Sequence, residues 1–300
     1  MAKDLVVLGN LLVDDVVFDD GATRMGEPGG AAIYSALGAR LWGLDVGLVS
    51  ILGTDYPDWA LAGLAERGVD LAGVHPLGRP GIRIWLLYEE RLRQFVHRLE
   101  RPAHPEVSPG FARIPEAWRG ARAFHVSPMP FATQLELVEA LSRIPGAFVS
   151  LDPLLPLRPE TWGQWREIVS KVDAFFVSED EMQVEAEADD YLKTLRRLVG
   201  GRLRYVAFKR SARGGILYDA SADRSVQWEA RAARVIDPTG AGDAFATGVL
   251  AGLLHGEPVD LALRRGLVST SFVLEDWGPR GLLRATPADA DARLREWFSA

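Results

Sequence analysis

The chain has 300 residues, no cysteine and a formal net charge of -7 at pH 7. That charge, with Arg scattered rather than grouped, excludes a general affinity for nucleic acid, which needs clustered Lys and Arg to displace counterions from phosphates. Without cysteine there are no disulfides or thiolate metal sites. The balance of 48% hydrophobic against 25% charged residues is that of a globular enzyme-sized body, long enough for one α/β core with modest additions.

Met-Ala-Lys-Asp runs straight into the strand-like Leu5 to Gly9, without the apolar region and cleavage site of a signal peptide. No stretch reaches the roughly 18 apolar residues that span a bilayer. A cytoplasmic protein with no membrane partner is expected. In chain order, short apolar runs at Leu5 to Gly9, Val46 to Leu52, Ala123 to Val126, Phe148 to Leu151, Ala174 to Val177 and Tyr205 to Phe208 fit buried strands. Between them Ala31 to Leu41, Trp59 to Glu66, Gln134 to Ser142, Asp189 to Val199 and Ala241 to His255 carry apolar residues at helical spacing. This alternation is the trace of βα units around a mostly parallel sheet. Val13 to Asp20 and Ile82 to His97 break it, reading as strands with partly polar faces. They predict a small β lid, from segments of about 13–24 and 82–98, over the edge where open α/β sheets bind ligands.

The most informative stretch is Asp237-Pro238-Thr239-Gly240-Ala241-Gly242-Asp243-Ala244-Phe245. Small residues allow close backbone approach, and the helix beginning near Ala241 presents amide donors and the positive end of its dipole. The amides of Gly240, Ala241 and Gly242 form a cradle for a transferring phosphoryl group. Asp243, in the first turn, is placed to take the proton of an attacking hydroxyl. Read without context, the same residues make a tight turn with a capping Asp. A Gly-x-x-x-x-Gly-Lys-Ser/Thr loop, a dinucleotide fingerprint after a strand, a Gly-x-Ser-x-Gly elbow and paired histidine ligands are all absent from the sequence.

The 237–245 string resembles the carboxyl-terminal signature of ribokinase-like (PfkB-type) carbohydrate kinases, usually Asp-Thr-Thr-Gly-Ala-Gly-Asp followed by Ala or Ser and Phe. The likeness extends over nearly the whole chain. Gly9 with Asp14 is similar to the family's opening strand, whose carboxylate binds acceptor hydroxyls, with Asp15 one position away. Gly29-Gly30-Ala31-Ala32-Ile33-Tyr34 resembles the first glycine signature, with Tyr34 where many members carry Asn. Tyr34 is either an acceptor contact or core packing. Gly53-Thr54-Asp55 and Gly68-Val69-Asp70 resemble the segments around the second helix.

The resemblance implies a three-layer α/β/α core with a mostly parallel central sheet and a small β-sheet lid, in one domain over residues 1–300. It implies transfer of the γ-phosphate of ATP to a hydroxyl of a sugar or sugar-like acceptor. A nucleoside or inositol is the alternative acceptor, and a catalytically silent metabolite binder the alternative of another class. The acceptor side would comprise Asp14, Gly29, Gly30, Tyr34 and Gly53. The nucleotide side would comprise Ser178, Glu181, Lys209, Ser211, Gly214, Thr239, Gly240 and Gly242, with Glu181 reaching Mg2+ through water. Ser178 replaces the usual Asn and Ser211 a glycine of Thr-x-Gly-x-x-Gly, while Lys209 and Arg213 either meet phosphates or face water. Asp152-Pro153 resembles a segment that often reads Asp-x-Asn-x-Arg, here without its Asn and closely spaced Arg. The resemblance leaves room for a monovalent cation beside ATP and Mg2+, and an exposed lid edge allows a homodimer.

Overall fold

A computed structural model describes residues 2–89, 92–184, 191–231 and 234–298. Positions 90 and 91 of the second lid segment and 189 and 190 of the expected helix before Val199 lie outside the described residues. In chain order the strands are β1 (Leu5–Leu8), β2 (Leu12–Val17), β3 (Thr23–Gly29), β4 (Val46–Leu52), β5 (Asp70–Pro76), β6 (Arg83–Glu89), β7 (Leu92–His97), β8 (Ala123–Val126), β9 (Phe148–Leu151), β10 (Ala174–Ser178), β11 (Tyr205–Lys209), β12 (Gly215–Asp219) and β13 (Arg224–Trp228). The helices are α1 (Ala31–Arg40), α2 (Asp58–Glu66), α3 (His104–Val107), α4 (Phe131–Leu141), α5 (Trp162–Val169), α6 (Tyr191–Leu198), α7 (Ala241–Leu254), α8 (Val259–Leu274), α9 (Arg280–Arg284) and α10 (Pro287–Phe298).

Among the described residues, nine strands form one sheet in the order β13-β12-β11-β10-β9-β8-β1-β4-β5, parallel from β5 to β11 and closed by an antiparallel hairpin. Along β1 successive side chains alternate faces. Val6 and Leu8 pack with Leu137, Trp165 and Leu195 from α4, α5 and α6, whereas Leu5 and Val7 pack with Ile33, Leu37 and Leu250 from α1 and α7. Helices therefore cover both faces, giving three layers, and each fully buried β1 side chain contributes roughly 1.5–3 kcal/mol. The chain leaves β1 for β4 and β5 on one side and returns through β8 on the other. The resulting crevice lies past the carboxyl ends of β1 and β8.

Helix α7 is buried from Ala244 to Gly252, between α1 and α8. Its neighbours approach at backbone distance. A Cβ on Gly38 of α1 would stand 2.6 Å from Thr247 Oγ1 and 2.9 Å from the Ala244 carbonyl oxygen, and one on Gly266 of α8 would stand 2.5 Å from Val249 Cγ2.

A second sheet, ordered β3-β2-β6-β7, stands off the first. Its inner face seats Leu12, Val16, Ile84 and Leu86 against Ile51 and Val107. The first limb runs on through β3 to Gly29, because Pro28 and Gly29 pair with Val13 and Leu12. The second limb is tied at both of its ends to Asp55. Its Oδ1 accepts the Gly81 amide at 2.7 Å and its Oδ2 accepts Arg101 at 2.7 Å. Gly53 makes room for this junction, since a Cβ there would come within 2.2 Å of the Gly81 nitrogen.

Two histidines are held neutral by the fold. His125 of β8 is fully buried, with Nδ1 3.0 Å from Ser150 Oγ on β9, and burial followed by the nearby Lys209 charge lowers its pKa to about 3. Burial and then His97, whose ring centre is 4.8 Å away, lower His104 to about 4.

Two outcomes follow from this packing. Gly38→Val should destabilise the fold by about 1–3 kcal/mol through overpacking against α7, read from the denaturant midpoint; an unchanged midpoint would show that the two helices have room to spare. Because both histidines titrate below their ordinary 6.5, the unfolded chain takes up protons first as pH falls. Their stabilising contribution is full above pH 6.5 and is lost toward pH 4 and 3, at no more than about 1.4 kcal/mol per pH unit per group. The urea midpoint should fall between pH 7 and 5, and less steeply in His125→Leu; equal slopes would rule out a neutral buried His125.

Candidate active site

The start of α7 is built by two backbone devices. Gly240 caps the helix at φ 80°, a left-handed conformation that favours glycine, and a Cβ there would lie 2.2 Å from the Tyr34 ring. Asp237 locks the turn from within, its Oδ1 accepting the Thr239 amide at 2.9 Å and its Oδ2 the Gly278 amide at 3.0 Å. The Ala241 amide bonds back to the Pro238 carbonyl at 3.3 Å, so this member of the expected cradle is engaged within the turn. Ala241, Gly242 and Asp243 are half-buried, whereas the helix is buried from Ala244 to Gly252.

Among the residues expected on the acceptor side and their neighbours, Asp14 and Asp15 go separate ways. Asp15 accepts both Arg83 Nε and Nη2 at 2.7 Å and the Gly26 amide at 2.8 Å. Burial raises its pKa, but the Arg83 and Gly26 hydrogen bonds outweigh that and hold it below the ordinary value. Asp14, 3% exposed, lies against Gly29, where a Cβ would come within 2.1 Å of its Oδ2. Gly30, at φ 91°, brings the start of α1 onto the Asn10 carbonyl oxygen, 2.1 Å from where a Cβ would sit. Tyr34, 1% exposed, is packed into the core with its ring on Gly240. Its burial, followed by the charges of Asp237 and Asp14, raises the pKa of its hydroxyl well above the usual value. Gly53 serves the lid junction. Among the described residues the buried Tyr56 hydroxyl and Asn10 Oδ1 have no hydrogen-bond partner.

The residues expected on the nucleotide side lie at the ends of β10 and β11 and in the loops that follow. Ser178 and Glu181 cap each other, the Ser178 amide donating to Glu181 Oε2 at 2.7 Å and the Glu181 amide to Ser178 Oγ at 3.3 Å. Ser211, standing where the related pattern has glycine, keeps a glycine-like φ of 50°. Gly214, at φ 73°, turns so tightly that a Cβ would meet the Trp228 carbonyl oxygen at 1.8 Å. Arg213 pairs with Glu179. Lys209 is turned inward, its Nζ 2.9 and 3.1 Å from the Asp152 carboxylate and 3.4 Å from where a Cβ on Gly242 would stand.

The small sheet reaches over this region. Tyr88 of β6 meets Thr239 Oγ1 at 2.9 Å, Phe18 stacks on Tyr88 and stands edge-on to Trp277, and Glu27 pairs with Arg280 at 2.5 Å. Residue spacing did not single out Tyr88, Tyr56 or the partnership of Asp152 with Lys209. These contacts join residues distant in the chain, so local pattern carries no trace of them. Asp237 had a local signal, being the first residue of the glycine-rich string.

The model of the pfkB family of carbohydrate kinases matches residues 2–285. Over 281 residues the chain is 36% identical to a cytidine kinase of Thermococcus kodakarensis, covering 92% of this chain and 97% of that protein. A Burkholderia thailandensis nucleoside kinase solved with inosine superposes with a TM-score of 0.75 at 20% identity, covering 98% of both chains. A putative ribokinase II from E. coli, solved with ATP and Mg2+, superposes with a TM-score of 0.74 at 22% identity, covering 99% of this chain and 100% of that one. The fold, the strand-end crevice and this match along nearly its whole length establish that the chain belongs to the pfkB family of carbohydrate kinases and is a phosphotransferase acting on hydroxyl groups.

Proposed function

We propose that the chain works as one kinase unit that passes the γ-phosphoryl of ATP to a hydroxyl of a nucleoside, Asp243 acting as general base. The observation that carries this reading is Asp243, half-buried in the first turn of α7 beside the left-handed Gly240. A carboxylate there removes the acceptor proton as the new O–P bond forms and the bond to ADP breaks. The helix dipole and the amides of the Gly240–Gly242 turn, chiefly Gly242, meet charge growing on the phosphoryl oxygens. Gly29 and Gly30 bring the chain close to the acceptor, and Asp14 takes its hydroxyls. Tyr56 and Asn10 hold buried polar atoms that an acceptor could satisfy. Tyr34 acts from behind, through Gly240.

Ser178, Glu181, Ser211, Gly214 and Thr239 shape the nucleotide side. Among the described residues no three His, Cys, Asp or Glu side chains converge as a metal cage. That suits a magnesium ion which arrives on the nucleotide phosphates and keeps several waters, with Glu181 touching it through one of them. Bound there, magnesium would neutralise phosphate charge. A monovalent cation is a further activator to assay. No described helix is long and apolar enough to cross a membrane, and we place the enzyme in the cytoplasm. Phe95 and Val96, 53% and 45% exposed on the outer strand β7, fit pairing of two copies through the lid.

A nucleoside is favoured over a simple furanose, a ketose or inositol by the 36% identity to a cytidine kinase and by Tyr34 in place of the more usual Asn. In an acceptor-dependent ADP-release assay, nucleosides should give the highest kcat/KM. A free sugar or cyclitol outrunning every nucleoside would remove the nucleoside assignment but leave the kinase. Asp243→Asn should lower kcat by about 100-fold or more with the unfolding midpoint unchanged. Turnover close to that of the unsubstituted protein would sink the proposed base.

A further inference from the structure

We infer that Lys209, held by Asp152, is a catalytic cation for the phosphoryl group in flight, and that Asp152 is its positioning residue. The inference rests on the kinase reading and deepens it, since the resemblance puts Lys209 on the nucleotide side without a role and leaves Asp152 and the pairing unassigned.

The pair sits at the carboxyl ends of β9 and β11, where Asp152 is 2% and Lys209 15% exposed at the side chain. Burial lowers the Lys209 pKa, yet the charges of Asp152 and Glu181 and the Asp152 hydrogen bond more than offset it, so the ammonium stays protonated. A buried ion pair is weak as a stabilising device, because desolvation cancels much of its attraction and apolar residues of like size serve as well. Its position is the informative part. Nζ stands over the second residue of α7, 3.4 Å from a Cβ position on Gly242, and Asp243 acts on it electrostatically. The ammonium thus borders the same small space as the amides of the α7 turn and the proposed base.

Charge bookkeeping along the chain points the same way. The segment after Asp152 lacks the closely spaced Arg of the pattern it resembles, and Lys209 stands where the neighbouring loop usually has Thr. Arg158, the first basic residue after Asp152, turns to Gln183 Oε1 at 3.1 Å, whereas Lys209 at the end of β11 meets Asp152. An ammonium has three N–H donors, and Asp152 engages Nζ through two oxygens. In the step itself the acceptor oxygen bonds phosphorus, the bond to ADP breaks and the acceptor proton passes to Asp243. Lys209 keeps its protons and donates to a phosphoryl oxygen as negative charge accumulates there.

The test measures acceptor-dependent ADP release and urea unfolding for Lys209→Met, Lys209→Arg, Asp152→Asn and the double variant Asp152→Asn/Lys209→Met. Lys209→Met should lower kcat by about 100-fold with a much smaller change in KM for ATP, the loss typical of a removed transition-state donor. Asp152→Asn should lower kcat less, and Lys209→Arg should recover part of the lost turnover. Lys209→Met alone leaves a buried carboxylate without its cation and can fail to fold. The double variant removes both charges, so it should regain stability and remain slow. Recovery of turnover together with stability in the double variant would overturn the inference, as would a Lys209→Met effect confined to stability or to KM. If Asp243→Asn is inactive while the double variant is fast, only the role of the pair falls. If the unsubstituted protein forms no ADP with any acceptor, the kinase reading fails and takes this inference with it.

Discussion

The site depends on how closely α1 can lie against α7. Gly38 lets the α1 backbone reach Thr247 and the Ala244 carbonyl, and one turn nearer the crevice the Tyr34 ring lies on Gly240. These contacts bring the starts of two helices to one point, one beside Asp14 and the other carrying Asp243. A side chain on either glycine would drive the starts apart. Dense packing transmits such a displacement rather than absorbing it. Helix α7 is correspondingly rich in Gly and Ala and buried over most of its length, unlike the amphipathic helices on the outside.

The small sheet is coupled to this junction at two levels. Asp55 ties both ends of the second limb to the end of β4, and Asp15 with Arg83 binds the two limbs to each other. Farther out, Tyr88 reaches Thr239, one residue before Gly240, while Glu27 reaches Arg280. The sheet therefore touches the turn that carries the proposed anion-binding amides. A movement that lifts it would break the Tyr88–Thr239 contact, while Asp237 holds the turn from within. Water exclusion in a phosphotransferase gains from such a cover, since electrostatic interactions strengthen once the site is dry.

Much of this was legible in the amino acids. The parallel strands are covered on both faces, so β1, β4, β8, β9, β10 and β11 read as continuous apolar runs. The glycine string at 237–245 marked the start of α7 because a left-handed cap and a close approach both demand residues without a side chain. Strand β5, at the sheet edge with mixed exposure, and the largely exposed edge strand β13 gave weaker patterns.

What the sequence determined by itself is local: the buried central strands; the helices α1, α2, α4, α6 and α7, though not α5, α8 or α10; where glycine is required; and the placement of a carboxylate one residue beyond Gly242. The tertiary structure decided the partnerships. It assigned Asp15 to Arg83 and laid Asp14 against Gly29, buried Tyr34 under Gly240, moved Gly53 to the lid junction, and joined Lys209 to Asp152 across 57 positions. Periodicity and propensity report a residue's own neighbourhood. Which two distant charges meet is set by how strands are ordered in the sheet, and that ordering becomes definite only when the whole core closes.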